Sequence, residues 1–88
     1  MRYEDPIPDL KRQLAAELVR VMDGWRMPDV AAMLRTDPPR VSDLRRARLD
    51  RFSLEAIVRF LTRMDHRVEF TVISERQARL KAISMRAK

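Results

Sequence analysis

The chain contains no cysteine and only one glycine among its 88 residues. Without cysteine it forms no disulfide, no thiolate metal site and no cysteine nucleophile. The scarcity of glycine argues against a β-sandwich, a glycine-rich phosphate loop and flexible linkers. Aromatic residues make up 6% of the chain, against 45% for all hydrophobic residues. These proportions favour one small helical domain, near the size at which a dimer interface helps stability.

Long hydrophobic runs are also missing. No apolar stretch approaches the roughly 18 residues that a membrane-spanning helix needs. The first residues, Met1 to Pro6, lack the apolar segment of a signal peptide. The sequence therefore predicts a cytoplasmic protein with no membrane association, no bound cofactor and no metal.

Charge is plentiful and unbalanced. Nineteen Lys and Arg residues face thirteen Asp and Glu, which gives a formal net charge of +6. Lysine occurs only at positions 11, 81 and 88, so the basic character is almost entirely arginine. The planar fork of donors on arginine suits phosphates and guanine edges. This balance favours an anionic partner, the alternative being a solvated basic surface.

Two short helical patterns lie almost end to end between Trp25 and Ser53. The first spans residues 27–34, with Val30, Ala31 and Leu34 on one face. After the turn formed by Arg35 and Thr36, Asp37 is a suitable N-cap, and Pro38 suits the first helical position. Helices joined this tightly indicate a helix-turn-helix. In the second helix, Val41 and Leu44 are expected to face the core. An adjacent stripe of Arg40, Asp43 and Ala47 is expected to face outward.

The phrases at 39–44 and 49–54, P-R-V-S-D-L and L-D-R-F-S-L, resemble the Cro/C1-type (XRE) helix-turn-helix family. They are most similar to its small antitoxin-like branch, related to HigA, in which a short basic linker joins such phrases. The resemblance covers roughly residues 10–73. The chain departs from the family at Arg35, where the turn usually has glycine, and at Met27, where a Gln-like residue is usual.

The resemblance implies a mainly α-helical, lambda-repressor-like bundle of about four helices. It also implies an antitoxin that silences its own operon and neutralises a RelE-like ribonuclease toxin. Because such toxins are usually basic, the basic tail is not the expected neutralising segment. Neutralisation of the toxin would instead involve the acidic residues Glu4, Asp5 and Asp9, or an apolar surface.

A helix in the major groove presents its N-terminal residues to base edges, while flanking charges grip the backbone. The predicted base-contacting residues are Pro38, Pro39, Arg40 and Asp43. For Asp43, an ion pair within the helix is an equal alternative. The predicted phosphate-contacting residues are Arg26, Ser42, Arg45, Arg46, Arg48 and Arg51.

Residues 67–73 change from helical to alternating hydrophobicity, with Val68, Phe70 and Val72 on one face. A lone strand in a helical domain leaves backbone groups unpaired. Pairing with the same strand of a second copy would solve this and would give the symmetry that a palindromic operator requires. The sequence therefore predicts a homodimer through a C-terminal β-strand. An unpaired tail or a short helical extension is the alternative.

The expected organisation is a flexible arm at 1–8, a DNA-binding domain at 9–73 and a basic tail at 74–88. Asp9 is the expected cap of the first helix, and Ser53 that of the helix running to about Met64. No catalytic motif occurs. Asp29, His66 and a serine have the residue types of a catalytic triad, but nothing in the sequence places them together. The sequence thus predicts a nucleoid-associated transcriptional repressor that binds double-stranded DNA at specific sequences. It does not predict an enzyme. The alternatives are a protein-interaction module on the same scaffold and a nonspecific basic DNA-binding protein.

Overall fold

The computed structural model describes residues 5–74, which contain four helices. They are α1 (Ile7–Val21), α2 (Met27–Leu34), α3 (Pro38–Arg45) and α4 (Leu54–Arg63). This confirms the prediction of a mainly helical, four-helix domain with a tight α2–α3 pair. None of the helices in the described residues is long and apolar enough to cross a membrane.

The N-termini of the helices follow local signals in the sequence. The Asp37 carboxylate accepts a hydrogen bond from the Arg40 backbone N–H at 3.0 Å, and the Ser53 hydroxyl accepts one from Ala56 at 3.0 Å. Both caps are as predicted. The start of α1 differs from the expectation, because Asp9 lies in its first turn and the helix begins at Ile7. Prolines flank Ile7 on both sides. The first N–H groups of a helix have no partner within the helix, so the missing N–H of proline costs nothing there.

Three of the four helices end at a non-glycine residue in the left-handed conformation: Arg35 (φ 59°), Ala47 (φ 57°) and Asp65 (φ 67°). At the end of α2, the Thr36 N–H bonds to the Ala31 carbonyl at 2.9 Å, and Arg35 bonds to Ala32 at 3.2 Å. This pair of bonds is the Schellman motif. The same pair recurs at the ends of α3 and α4. The turn therefore forms at Arg35 without the glycine that the family usually has there.

The core consists entirely of apolar side chains, and no polar or charged residue is buried in the described chain. Helix α1 packs chiefly on α4, and α2 packs chiefly on α3. Val41 and Leu44 hold α3 against this core with 0% and 1% of their surface exposed. Apart from these two, the buried residues are Ala15, Leu18, Met22, Val30, Ala31, Leu34, Leu49, Phe52, Ile57, Phe60, Leu61 and Met64.

The segment after α4 carries no assigned strand within the described residues 66–74. Val68 is partly buried and packs against the core. Phe70, Val72 and Ile73 are exposed, Val72 by 97%. A strand is defined by pairing, and a single chain offers this segment no second copy, so the predicted dimerisation strand stays a prediction. Most of the predicted arm, residues 1–4, and the tail from 75 onward lie outside the described residues.

Candidate nucleic-acid interface

Helix α3 presents one face to solvent, and its orientation is fixed by its two buried residues. Successive residues of an α-helix are rotated by about 100°. The side opposite Val41 and Leu44 therefore carries Pro39, Ser42, Asp43 and, at the helix end, Arg46. We call these four residues the outward stripe of α3. It differs from the predicted stripe, because Ala47 lies beyond the end of α3 in a left-handed turn and Arg40 lies towards the side of the helix.

The guanidinium of Arg40 is held against the protein. It lies 5.2 Å from the centre of the Phe52 ring, within the range of a cation–π contact. Its Nη1 donates to the Arg51 carbonyl at 3.5 Å. Phe52 in turn packs edge to face on Phe60, with ring centres 6.0 Å apart. Arg40 thus connects the start of α3 to the segment before α4 and, through Phe52, to α4 itself.

Arg45 is also tied to the protein, on the other side of α3. Its Nη2 donates to the Trp25 carbonyl at 3.4 Å. Together with Arg12 it borders an open groove of about 400 Å³ between α1 and the end of α3. The remaining lining of the groove is apolar: Ala15, Ala16, Val19, Leu44, Ala47 and Leu49.

Asp43, Arg48, Asp50 and Arg51 line a polar depression next to α3. The alternative expectation for Asp43, an ion pair within its helix, is not met, since the salt bridges of the described residues join Asp9 to Arg12, Glu17 to Arg20 and Arg67 to Glu69. The Asp43 carboxylate therefore stays available to a ligand.

Positive charge is concentrated around α3. Residues 35–51 hold six arginines and three aspartates, which is a net charge of +3 in 17 residues. Of the predicted DNA-contacting residues, seven are exposed, while Arg40, Ser42 and Asp43 are half-buried. The exposed ones are Arg26, Pro38, Pro39, Arg45, Arg46, Arg48 and Arg51. The arrangement can bind a polyanion along α3 and the loop that follows it.

One residue that supports this surface could not be found from the sequence. Arg63, in the last turn of α4, donates from Nη1 to the Leu34 carbonyl at 2.8 Å. It therefore satisfies a free carbonyl at the end of α2 and ties α4 to the α2–α3 pair. The two residues are 29 positions apart, and no spacing rule relates them. In the described part of the chain, no group of three or more His, Asp or Glu side chains could hold a metal ion.

A family model described as "Helix-turn-helix domain" matches residues 5–73. A solved structure described as "Putative XRE Family Transcriptional Regulator" is similar, with a TM-score of 0.72 and 30% sequence identity. That match covers 91% of this chain and 85% of the other. The comparison with curated proteins gives no match.

Proposed function

The chain belongs to the helix-turn-helix domain family, in its XRE type, and from this membership we propose that it is a DNA-binding transcriptional regulator. The observation that carries the proposal is the geometry of α3. Its start is capped by Asp37 and its inner side is fixed by Val41 and Leu44, while Pro39 and Arg46 of its outward stripe are exposed. A helix held in this way can enter the major groove while the surrounding arginines contact phosphates.

The proposal extends to a homodimer that binds a palindromic operator. Two-fold symmetric proteins place two recognition helices about one helical turn of DNA apart, roughly 34–36 Å. The exposed apolar residues Phe70, Val72 and Ile73 support such a dimer, because a monomer would leave them in water. Phe70 also borders, with Leu54 and Val58 of α4, an open apolar groove that a second copy could cover.

The finer proposal is an autoregulating repressor that also acts as an antitoxin to a RelE-like ribonuclease. It rests on the resemblance of residues 39–44 and 49–54 to the HigA-related branch. Expression of the chain together with a toxin gene adjacent to its own would test it. Rescue of growth and co-purification of the two proteins are expected, and a regulator that binds its operator without rescuing growth would remove the antitoxin role alone.

Selection of binding sites from a pool of random duplexes tests the DNA-binding proposal. The expected result is enrichment of two inverted half-sites with centres about 10 base pairs or a multiple of that apart. Retention of the pool without enrichment would indicate a nonspecific basic protein. No retention at all would favour a protein-interaction module built on the helix-turn-helix.

A further inference from the structure

Helix α3 contains Arg40 and Arg45, and Arg46 follows its last residue directly. The three arginines have different surroundings. Arg40 contacts Phe52 and the Arg51 carbonyl, and Arg45 contacts the Trp25 carbonyl. The Arg46 side chain makes no hydrogen bond, ion pair or ring contact with the other described residues, and Arg46 is exposed. An arginine that reads a base needs its guanidinium donors free, and of the three guanidinium groups only that of Arg46 donates to no group of the described protein.

The position of Arg46 on the helix also favours a contact with bases. It lies one turn after Ser42 and Asp43 and two turns after Pro39, on the side opposite the buried Val41 and Leu44. The outward stripe is the part of α3 that approaches DNA most closely if α3 enters a groove. Arg40, by contrast, would have to leave the ring of Phe52, which is only 3% exposed, before it could reach a base.

We propose that Arg46 is the specificity-determining arginine of α3, reading a guanine, and that Arg40 is a positioning residue that acts through Phe52. This inference rests on the proposed function as a sequence-specific DNA-binding protein. Arginine can donate two hydrogen bonds to O6 and N7 of guanine. Asp43, one turn before Arg46, can accept from the amino group of a neighbouring cytosine. Arg40 fixes the start of α3 relative to α4, so that the outward stripe keeps its angle.

The test compares Arg46→Ala and Arg40→Ala on the site selected by the wild-type protein and on all its single base-pair variants. Arg20→Ala is the matched control, since it removes the same charge from an exposed position on α1. For Arg46→Ala we expect discrimination to fall by about 5- to 150-fold at one base pair of each half-site. For Arg40→Ala we expect weaker binding to the site and its variants in equal proportion, with base preferences kept. The control should bind like the wild type at moderate salt.

Two results would overturn the assignment. If Arg46→Ala kept all base preferences and made the fall of log affinity with log salt shallower by about 1, Arg46 would be a phosphate contact. If Arg40→Ala relaxed the preference at one base pair, Arg40 would be the reader. Arg40→Met, which keeps the aliphatic stem, checks that a loss of binding does not come from unfolding.

A measurement without DNA tests the positioning role by itself. In a double-mutant cycle on the unfolding equilibrium, Arg40→Ala and Phe52→Leu should be coupled by about two- to fivefold or more, as the lower end of the cation–π range implies. Additive effects would contradict the role of Phe52. If the wild-type protein showed no sequence preference, the reading role of Arg46 would fall with the proposed function, and the cycle would still decide that of Arg40.

Discussion

At the scale of single residues, the helix ends show most clearly how this chain compensates for its lack of glycine. Arg35, Ala47 and Asp65 each adopt a left-handed backbone at a Schellman motif. A side chain makes this conformation cost about 1–2 kcal/mol. The hydrogen bonds of the motif satisfy carbonyls that would otherwise lack partners, which holds the strained residues in place.

Ala47→Gly should therefore raise the free energy of unfolding by about 0.5–1 kcal/mol. Glycine relieves the left-handed strain, and its greater freedom in the unfolded chain offsets only part of that gain. Ala16→Gly, an exposed position inside α1, should lower the free energy of unfolding by about 0.5–1 kcal/mol. Chemical denaturation measures both. A destabilised Ala47→Gly variant would show that Ala47 is not left-handed in solution.

Arg63→Met should cost about 1.5–3 kcal/mol of stability, because a hydrogen bond from a charged group to the Leu34 carbonyl is lost. Arg59→Met is the control, since Arg59 is exposed on the same helix and bonds to no carbonyl of α2. It should stay within about 0.5 kcal/mol of the wild type. Equal stabilities of the two variants in urea denaturation would argue against the bond.

Residues that act over short distances along the chain were predictable, and those that act over long distances were not. The caps at Asp37 and Ser53 bond to backbone groups three residues later, which a sequence pattern can reveal. The contacts of Arg63 with Leu34 and of Arg40 with Phe52 depend on how the helices pack. The predicted outward role of Arg40 followed helix spacing alone, which does not include the ring that Phe52 places beside it.

At the scale of the elements, hydrophobic periodicity predicted the α2–α3 pair and α4, because their apolar residues recur at helical spacing. The predicted start of α1 is too late, since Pro6 and Pro8 are typical of a loop and yet suit the first turn of a helix. Alternation at 67–73 indicates a strand, but pairing depends on a second chain. It therefore stays a prediction.

The attachment of α3 to the core is the basis of its role, and Leu44→Ala tests it. We expect a loss of about 2–5 kcal/mol of stability, because the side chain is almost completely buried and its removal leaves a cavity. Met33→Ala, at a residue of α2 that is 39% exposed, should cost much less. Thermal and urea denaturation measure both. A small loss for Leu44→Ala would mean that α3 is not fixed as described.

At the scale of the whole molecule, the dimer predicts that two neighbouring substitutions have opposite outcomes. Phe70→Asp should give a monomer with weaker operator binding, since it puts a charge into the apolar face of the proposed strand. Thr71→Asp should leave the dimer intact, because successive residues of a strand point to opposite faces. Sedimentation velocity measures both masses. A dimer that survives Phe70→Asp would place the interface elsewhere.

The central claim is that the chain recognises a particular DNA sequence, and fluorescence anisotropy tests it most directly. The duplex upstream of its own gene is compared with a scrambled duplex at low and near-physiological salt. The account predicts that the upstream duplex binds about 10³-fold or more tightly, with the difference kept at the higher salt. Equal affinities that fall together as salt rises would contradict it.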